Sequence, residues 1–282
     1  MQRLDTAQQL RAWRAEASGN VGLVPTMGNL HAGHLALVAA ARARCKRVVV
    51  SIFVNPLQFG PNEDLDSYPR TLDADLQALE QAGADAVFAP AVEQMYPHGG
   101  TTATTVRVEG ITDMLCGSRR PGHFEGVATV VTKLLNLVDP DEAFFGEKDF
   151  QQLAVIRRLV ADLCMQVDIV GVPTVREADG LALSSRNQYL QADERKRAPA
   201  LAAALADCRA RLSEGERDFV ALEARGRAMI DAAGLKTDYF EIRSPELTAP
   251  RADMKAFRVL AAAFLGRARL IDNMAVEPAP GQ

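Results

Sequence analysis

Apolar residues fall along this chain in two rhythms. One is short, continuous β-branched runs; the other is longer stretches with an apolar residue every three or four positions, and each rhythm predicts an element. Residues 6–18 carry a helical stripe of Leu10, Trp13 and Ala17, with Gly19-Asn20 as its stop. Residues 21–26 predict a short apolar strand, then a glycine-bearing turn and an apolar-periodic helix that opens near Gly33 and runs to about Ala43. Residues 47–54 form an unbroken run of the kind buried on both faces of a parallel sheet. A helix over 72–82, capped by Gly83, and a strand over 86–89 complete a strand–helix–strand–helix–strand series, which implies right-handed crossovers in a parallel sheet. Residues 101–108, rich in strand formers, predict a further strand or hairpin arm. A helix over 127–138, a strand over 142–145, a long amphipathic helix to about Leu163 and a strand over 167–172 continue the alternation.

After Asp179-Gly180 the pattern changes. Two alanine-rich helices, about 192–212 and 217–233, precede strands over 238–242, 257–263 and 269–271. Helices beside a small antiparallel sheet form a second, smaller α+β domain, so the expected division is 1–175 and 176–282. A length of 282 residues accommodates one large domain or two. The polar segment Asn55–Arg70 is long for a connection inside a compact domain, and its amide and aromatic content favours function.

Composition narrows the function classes. Hydrophobic residues at 48% and charged residues at 24% are those of an ordinary globular chain. A net charge of -4 lacks the basic footprint of broad nucleic-acid binding. The longest apolar runs, such as 48–54 and 260–265, are too short to span a bilayer, and Met-Gln-Arg-Leu-Asp has no apolar signal core, so a cytoplasmic location is expected. Cys45, Cys116, Cys164 and Cys208 are scattered without a CxxC pair, which fits reduced structural thiols and no metal knuckle.

Chemistry gathers at the turn after the first strand. His31 and His34 sit where a helix begins, and a strand feeding a glycine turn and a helix start is a ready phosphate site, because unpaired main-chain N–H groups and the helix dipole face the turn. Gly28 and Gly33 have P-loop spacing, but His34-Leu35 replaces the Lys and Ser/Thr of that motif. Gly146-Glu-Lys-Asp149 stands at the end of a predicted strand, where open α/β sheets bind ligands; Lys148 suits a phosphate, and Gln152 shares a helix side with Asp149. Leu183-Ser-Ser-Arg186 reads either as a polyphosphate clamp or as an ordinary capped turn, and Asn55 and Gln58 either as hydroxy-acid ligands or as turn residues. No GxSxG elbow or carboxylate pair suggests a protein nucleophile, so one substrate attacking another fits best.

At these residues the chain resembles the pantoate–β-alanine ligases of the His-x-Gly-His nucleotidyltransferase superfamily. The likeness rests on Pro25–His34, Phe53–Phe59, Tyr68–Thr71, Arg120–Phe124, Phe145–Gln152 and Leu183–Asn187, in that order. It implies a Rossmann-like doubly wound N-terminal domain, a smaller C-terminal lid domain, a homodimer, and joining of (R)-pantoate to β-alanine through pantoyl adenylate with release of pyrophosphate and AMP. By the same resemblance Met27, Gly28, Asn29, Leu30, His31, Ala32, Gly33 and His34 line the ATP site, His34 as general acid and His31 beside it at the phosphates. Gly146, Glu147, Lys148 and Asp149 bind ATP, Lys148 at the phosphates and Asp149 at the ribose. Val175 meets adenine through its backbone; Leu183, Ser184, Ser185 and Arg186 close on the phosphates. Gln58 and Gln152 grip pantoate, with Asn55 beside them. Mg2+ is expected with ATP, and no protein residue is assigned to it.

Overall fold

A computed structural model describes residues 1–60, 63, 65–98, 102 and 104–277. They form two compact units, one of residues 1–147 with 151–173, the other of residues 148–150 with 174 onward.

The first unit is a six-stranded parallel sheet. Its strands are β1 (Gln2–Leu4), β2 (Val21–Thr26), β3 (Arg47–Ile52), β4 (Ala86–Phe88), β5 (Glu142–Gly146) and β6 (Asp168–Val172), in the order β1-β4-β3-β2-β5-β6. The helices between them are α1 (Ala7–Glu16), α2 (Ala32–Arg44), α3 (Leu72–Gln81), the short α4 (Val92–Met95) and α5 (Cys116–Arg119), α6 (His123–Val138) and α7 (Phe150–Asp162). Thr6 and Gln9 close a capping box on α1. Val48, Val49 and Val50 are wholly buried, as an unbroken β-branched run predicts. From β2 the chain steps one way to β3 and β4, then returns to the other side of β2 with β5 and β6. The order therefore reverses between β2 and β5, and in open α/β sheets ligands bind beyond the strand ends at such a reversal.

The second unit packs α8 (Ala192–Arg197), α9 (Ala200–Ser213) and α10 (Phe219–Ala232) with an antiparallel sheet of β7 (Lys236–Arg243), β8 (Phe257–Leu265) and β9 (Ala268–Val276). Leu201, Leu205 and Leu212 on α9 meet Phe240, Val259 and Leu270 in its core.

The structure departs from the expected elements in several places. β1 has only three residues, too few to show a period. The predicted strand at 101–108 is not one: residues 102 and 104–108 are irregular, and Thr101 and Ala103 lie outside the described residues, as do Pro61, Asn62 and Asp64 of the long loop. α6 starts four residues before its expected start, because Gly122 takes the left-handed φ of 81° that launches it. The helix expected over 192–212 is two helices, broken at Pro199. None of the cysteines is in a disulfide; Cys45, Cys116 and Cys208 are buried, whereas Cys164 is exposed. Burial pushes the Cys45 thiol up to about 11 and that of Cys208 to about 12, as expected of inert thiols.

Candidate active site

Three of the motif segments leave the ends of adjacent strands β3, β2 and β5. The turn 27–31 follows β2, Asn55–Gln58 follows β3, and Gly146 ends β5. The β2 turn is held from several sides. The Thr26 hydroxyl donates to the Ser51 carbonyl at 2.7 Å and accepts the Gly28 N–H at 3.3 Å. Gly28 (φ 80°) and Asn29 (φ 51°) are both left-handed, and a Cβ on Gly28 would press on Asp75 and Ile52 at 3.1 Å.

Asp75, on α3 and only 3% exposed, fixes this conformation. Its carboxylate accepts the N–H groups of Asn29 (2.9 Å) and Leu30 (2.8 Å) and the Thr71 hydroxyl (3.2 Å). The histidines are also inward-bonded. Gly33 N–H donates to His31 Nδ1 at 3.1 Å, and His31 N–H donates to His34 Nδ1 at 3.3 Å, so the two imidazoles cap α2 in place of hydroxyl and carboxylate. Their ring centroids are 4.1 Å apart. Because each Nδ1 accepts, each neutral ring carries its proton on Nε2.

This corrects the expected phosphate cradle. The turn was predicted to present unpaired main-chain N–H groups, yet those of Gly28, Asn29, Leu30, His31 and Gly33 all have acceptors inside the protein. The anion held by Asn29 and Leu30 is the protein's own Asp75.

Sequence reasoning missed Asp75, since only the tertiary fold brings it under a turn some 46 residues away. Asp75→Asn sets an amide against a main-chain N–H. Leaving a buried donor unmatched costs about 1–3 kcal/mol. We expect a lower thermal midpoint and about tenfold slower ATP-dependent turnover; unchanged turnover at a lowered midpoint would reduce Asp75 to a purely structural anchor.

Beside this turn, Asn55 differs from its expected role. It is 1% exposed and fully engaged. Its Nδ2 donates to the Gly126 carbonyl (3.0 Å) and Gln58 Oε1 (3.2 Å); its Oδ1 accepts from the Tyr96 hydroxyl (2.8 Å) and Leu57 N–H (3.3 Å). Burial pushes the Tyr96 phenol well above the usual range, which keeps it a donor. Asn55 therefore braces the Gln58 side chain. Gln58 is half-buried, and its Nε2 lies 2.8 Å from Met27 Sδ, which joins the β3 loop to the β2 turn.

The carbonyl of Gln58 is pinned as well. His123 Nδ1 meets it at 2.8 Å, and Arg120 Nη1 lies 2.9 Å from His123 Nε2. Arg120 also grips Glu63 at 2.5 and 2.6 Å. Burial alone would raise the Glu63 carboxyl, but the Arg120 guanidinium outweighs it and holds the group below its ordinary value. On α7, Gln152 is half-buried, whereas its neighbour Gln151 is buried and bonds Cys116 N–H and the carbonyls of Ile111 and Met114.

Glu147 ends the first unit's segment, while Lys148, Asp149, Val175 and Leu183–Arg186 lie in the second unit. Lys148 pairs with Asp149 at 3.6 Å. A hairpin closed by the Arg176–Ala182 bridge brings Val175 to Leu183, whose N–H donates to the Val175 carbonyl at 3.0 Å. Ser184 caps the short 3-10 helix Ser185–Tyr189 by accepting the Arg186 N–H at 3.3 Å. Among the described residues no three His, Cys, Asp or Glu side chains gather as a metal cage.

A doubly wound parallel sheet whose strand order reverses beside a histidine-capped helix start defines the class of open α/β proteins that bind ligands beyond their strand ends. Within it the comparisons are specific. The family model described as pantoate-beta-alanine ligase matches residues 2–275. The pantothenate synthetase of Pseudomonas putida (strain GB-1) is 56% identical over 278 residues, 97% of each chain. That of Pseudomonas aeruginosa (strain UCBPP-PA14) is 56% identical over 280 residues, 98% of this chain and 99% of the other. The crystal structure of pantothenate synthetase from Thermus thermophilus superimposes with a TM-score of 0.93 at 50% identity, covering 99% of this chain and 100% of that one. The pantoate-beta-alanine ligase of Francisella tularensis, complexed with beta-gamma ATP and beta-alanine, gives 0.82 at 35% identity over the whole of both chains. The chain belongs to the pantoate-beta-alanine ligase family and is an enzyme of that activity.

Proposed function

We propose that this enzyme activates (R)-pantoate with ATP and passes the pantoyl group to β-alanine, with the residues above in the following roles. The pantoate carboxylate attacks the α-phosphorus and pyrophosphate leaves; the β-alanine amine then attacks the pantoyl carbonyl and AMP leaves. Negative charge grows on the phosphate oxygens in the first step, so preorganised donors and cations there contribute most. His31 and His34 donate from Nε2, and Lys148 and Arg186 neutralise charge. The segments 27–34 and 146–149, with Val175 and the turn 183–186, hold the nucleotide. Gln58 and Gln152 hold pantoate, and Asn55 orients Gln58.

The observation that carries this reading is the doubly Nδ1-capped histidine pair at the sheet's reversal point. It also refines the general-acid role that the resemblance implies for His34. Its ring reaches the imidazolium state only by giving up the bond from His31 N–H, so we assign His34 the part of a neutral hydrogen-bond donor. Mg2+ is read as arriving on the triphosphate; Asp75, the buried carboxylate at the turn, already uses both oxygens on N–H and O–H donors. No step is assigned to a protein-held ion. A cytoplasmic homodimer completes the reading, and light scattering on the purified protein tests the dimer.

The direct test is isotope exchange. Labelled pyrophosphate is expected to enter ATP when pantoate is present and β-alanine is not. Exchange that is independent of pantoate, or none in folded protein supplied with Mg2+, would overturn the adenylate route.

A further inference from the structure

In the second unit, one dipeptide on β9 bonds Lys148 and the hairpin that leads into the turn 183–186. Asp272 and Asn273 are each 4% exposed, unusual for polar side chains, and each is fully engaged. Asn273 Nδ2 donates to the main-chain carbonyl of Lys148 at 2.9 Å across 125 residues of sequence. Its Oδ1 accepts from Arg258 Nη1 at 2.9 Å, and that guanidinium lies 3.8 Å from the centre of the Phe150 ring. The segment Lys148–Phe150 is thus gripped at both ends by β8 and β9, which accounts for its grouping with the second unit although its sequence neighbours belong to the first.

Asp272 faces the hairpin before that turn. Its carboxylate takes a two-pronged bond from Arg176, at 2.7 and 2.9 Å. Arg176 also donates to the carbonyls of Gly180 (3.0 Å) and Asn273 (3.3 Å). Arg176 and Gly180 belong to the hairpin that sets Val175 beside Leu183 and leads into Ser184–Arg186. Asn273 N–H closes the set by donating to Asp272 Oδ1 at 2.7 Å. Planar two-pronged pairing fixes orientation as well as distance, so the hairpin and the lysine segment share one rigid mount.

We propose that Asp272 and Asn273 are positioning residues for the adenylation step, fixing from one mount the main chain of Lys148 and the hairpin that carries the turn Leu183–Arg186. This rests on the reading that Lys148 holds the ATP phosphates. Neither residue is itself assigned to a ligand. Their effect passes through Lys148 and Arg186, and so falls on ATP rather than on pantoate.

The test is a double-mutant cycle. Asn273→Asp keeps an acceptor for Arg258 and replaces the donor to the Lys148 carbonyl with a charged carboxylate oxygen, and Asn273→Ser removes that donor without adding charge. Asn273→Ser serves the same comparison should the aspartate variant fail to fold. Dissociation constants for ATP and pantoate are measured by calorimetry in the wild type, Asn273→Asp, Lys148→Met and the double variant, with thermal midpoints for each. The expected result is about tenfold weaker ATP binding in Asn273→Asp, pantoate binding within about twofold of wild type, and little added loss when Lys148 is already methionine. ATP binding unchanged in Asn273→Asp, or a loss of the same size in the Lys148→Met background, would overturn the proposal while leaving Lys148 in place. ATP binding unchanged in Lys148→Met would overturn the reading of Lys148 and the proposal with it.

Discussion

Replacing His34 with alanine is expected to slow pantoate-dependent exchange of pyrophosphate into ATP by about 10² to 10³-fold, the usual cost of removing one preorganised donor at a developing oxyanion. The loss should fall mainly on kcat, because the phosphate charge that the ring meets is greatest in the transition state. Stability changes far less. The ring accepts the His31 N–H and so acts as half of the helix cap, and loss of a cap costs about 0.5–2 kcal/mol. Helix α2 stays anchored by Leu37, Val38 and Ala41, all buried. The variant is therefore expected to remain folded, with a modestly lowered thermal midpoint. Exchange near the wild-type rate would remove His34 from the chemistry. A loss matched by unfolding at the assay temperature would assign the ring to structure instead.

The framework of this fold was legible because its central strands bury both faces. The run Val48-Val-Val50 has no polar alternative, and β2 and β5 are bounded by turn residues, so the alternation of strand and helix could be read directly. The histidine pair stood out as well, since two imidazoles at a helix start have few other uses. What escaped was tertiary. Asp75 reads as an ordinary acidic residue in the first turn of α3, which favours acids on dipole grounds alone. Only the fold turns its carboxylate under Asn29 and Leu30. Asn55 looked like a ligand for a hydroxy-acid because it is a neutral amide in a long loop, yet Tyr96 and Gly126, distant in sequence, take its bonding capacity. Asn273 lies in an apolar-periodic strand, and its partner Lys148 is far beyond the reach of any local pattern. Residues that touch ligands carry recognisable chemistry at recognisable spacings; residues that aim them are set by contacts no spacing encodes.

Gly126→Ala carries this distinction to the pantoate side. The β3 loop crosses α6 so closely that a Cβ on Gly126 would collide with the Leu57 carbonyl and stand 2.7 Å from the Gln58 nitrogen. The obstacles are main-chain atoms of the turn Pro56–Gln58, so no side chain can swing away to make room. Either α6 or that turn must move, and overpacking of this kind typically costs about 1–3 kcal/mol. The turn is the lighter element. Its movement would break the bond from Asn55 to the Gly126 carbonyl and shift Gln58 relative to Met27. A misplacement of about 1 Å in a substrate-positioning group can cost about 10²-fold. We expect kcat/KM for pantoate to fall by about that factor while the dissociation constant for ATP holds within about twofold. Gln58→Ala should give a similar loss, and the double variant should lose little more than either alone, because both changes remove the same positioned amide. Additive losses would place the damage of Gly126→Ala elsewhere on α6, and a wild-type response to pantoate in Gln58→Ala would mean that Gln58 does not hold this substrate.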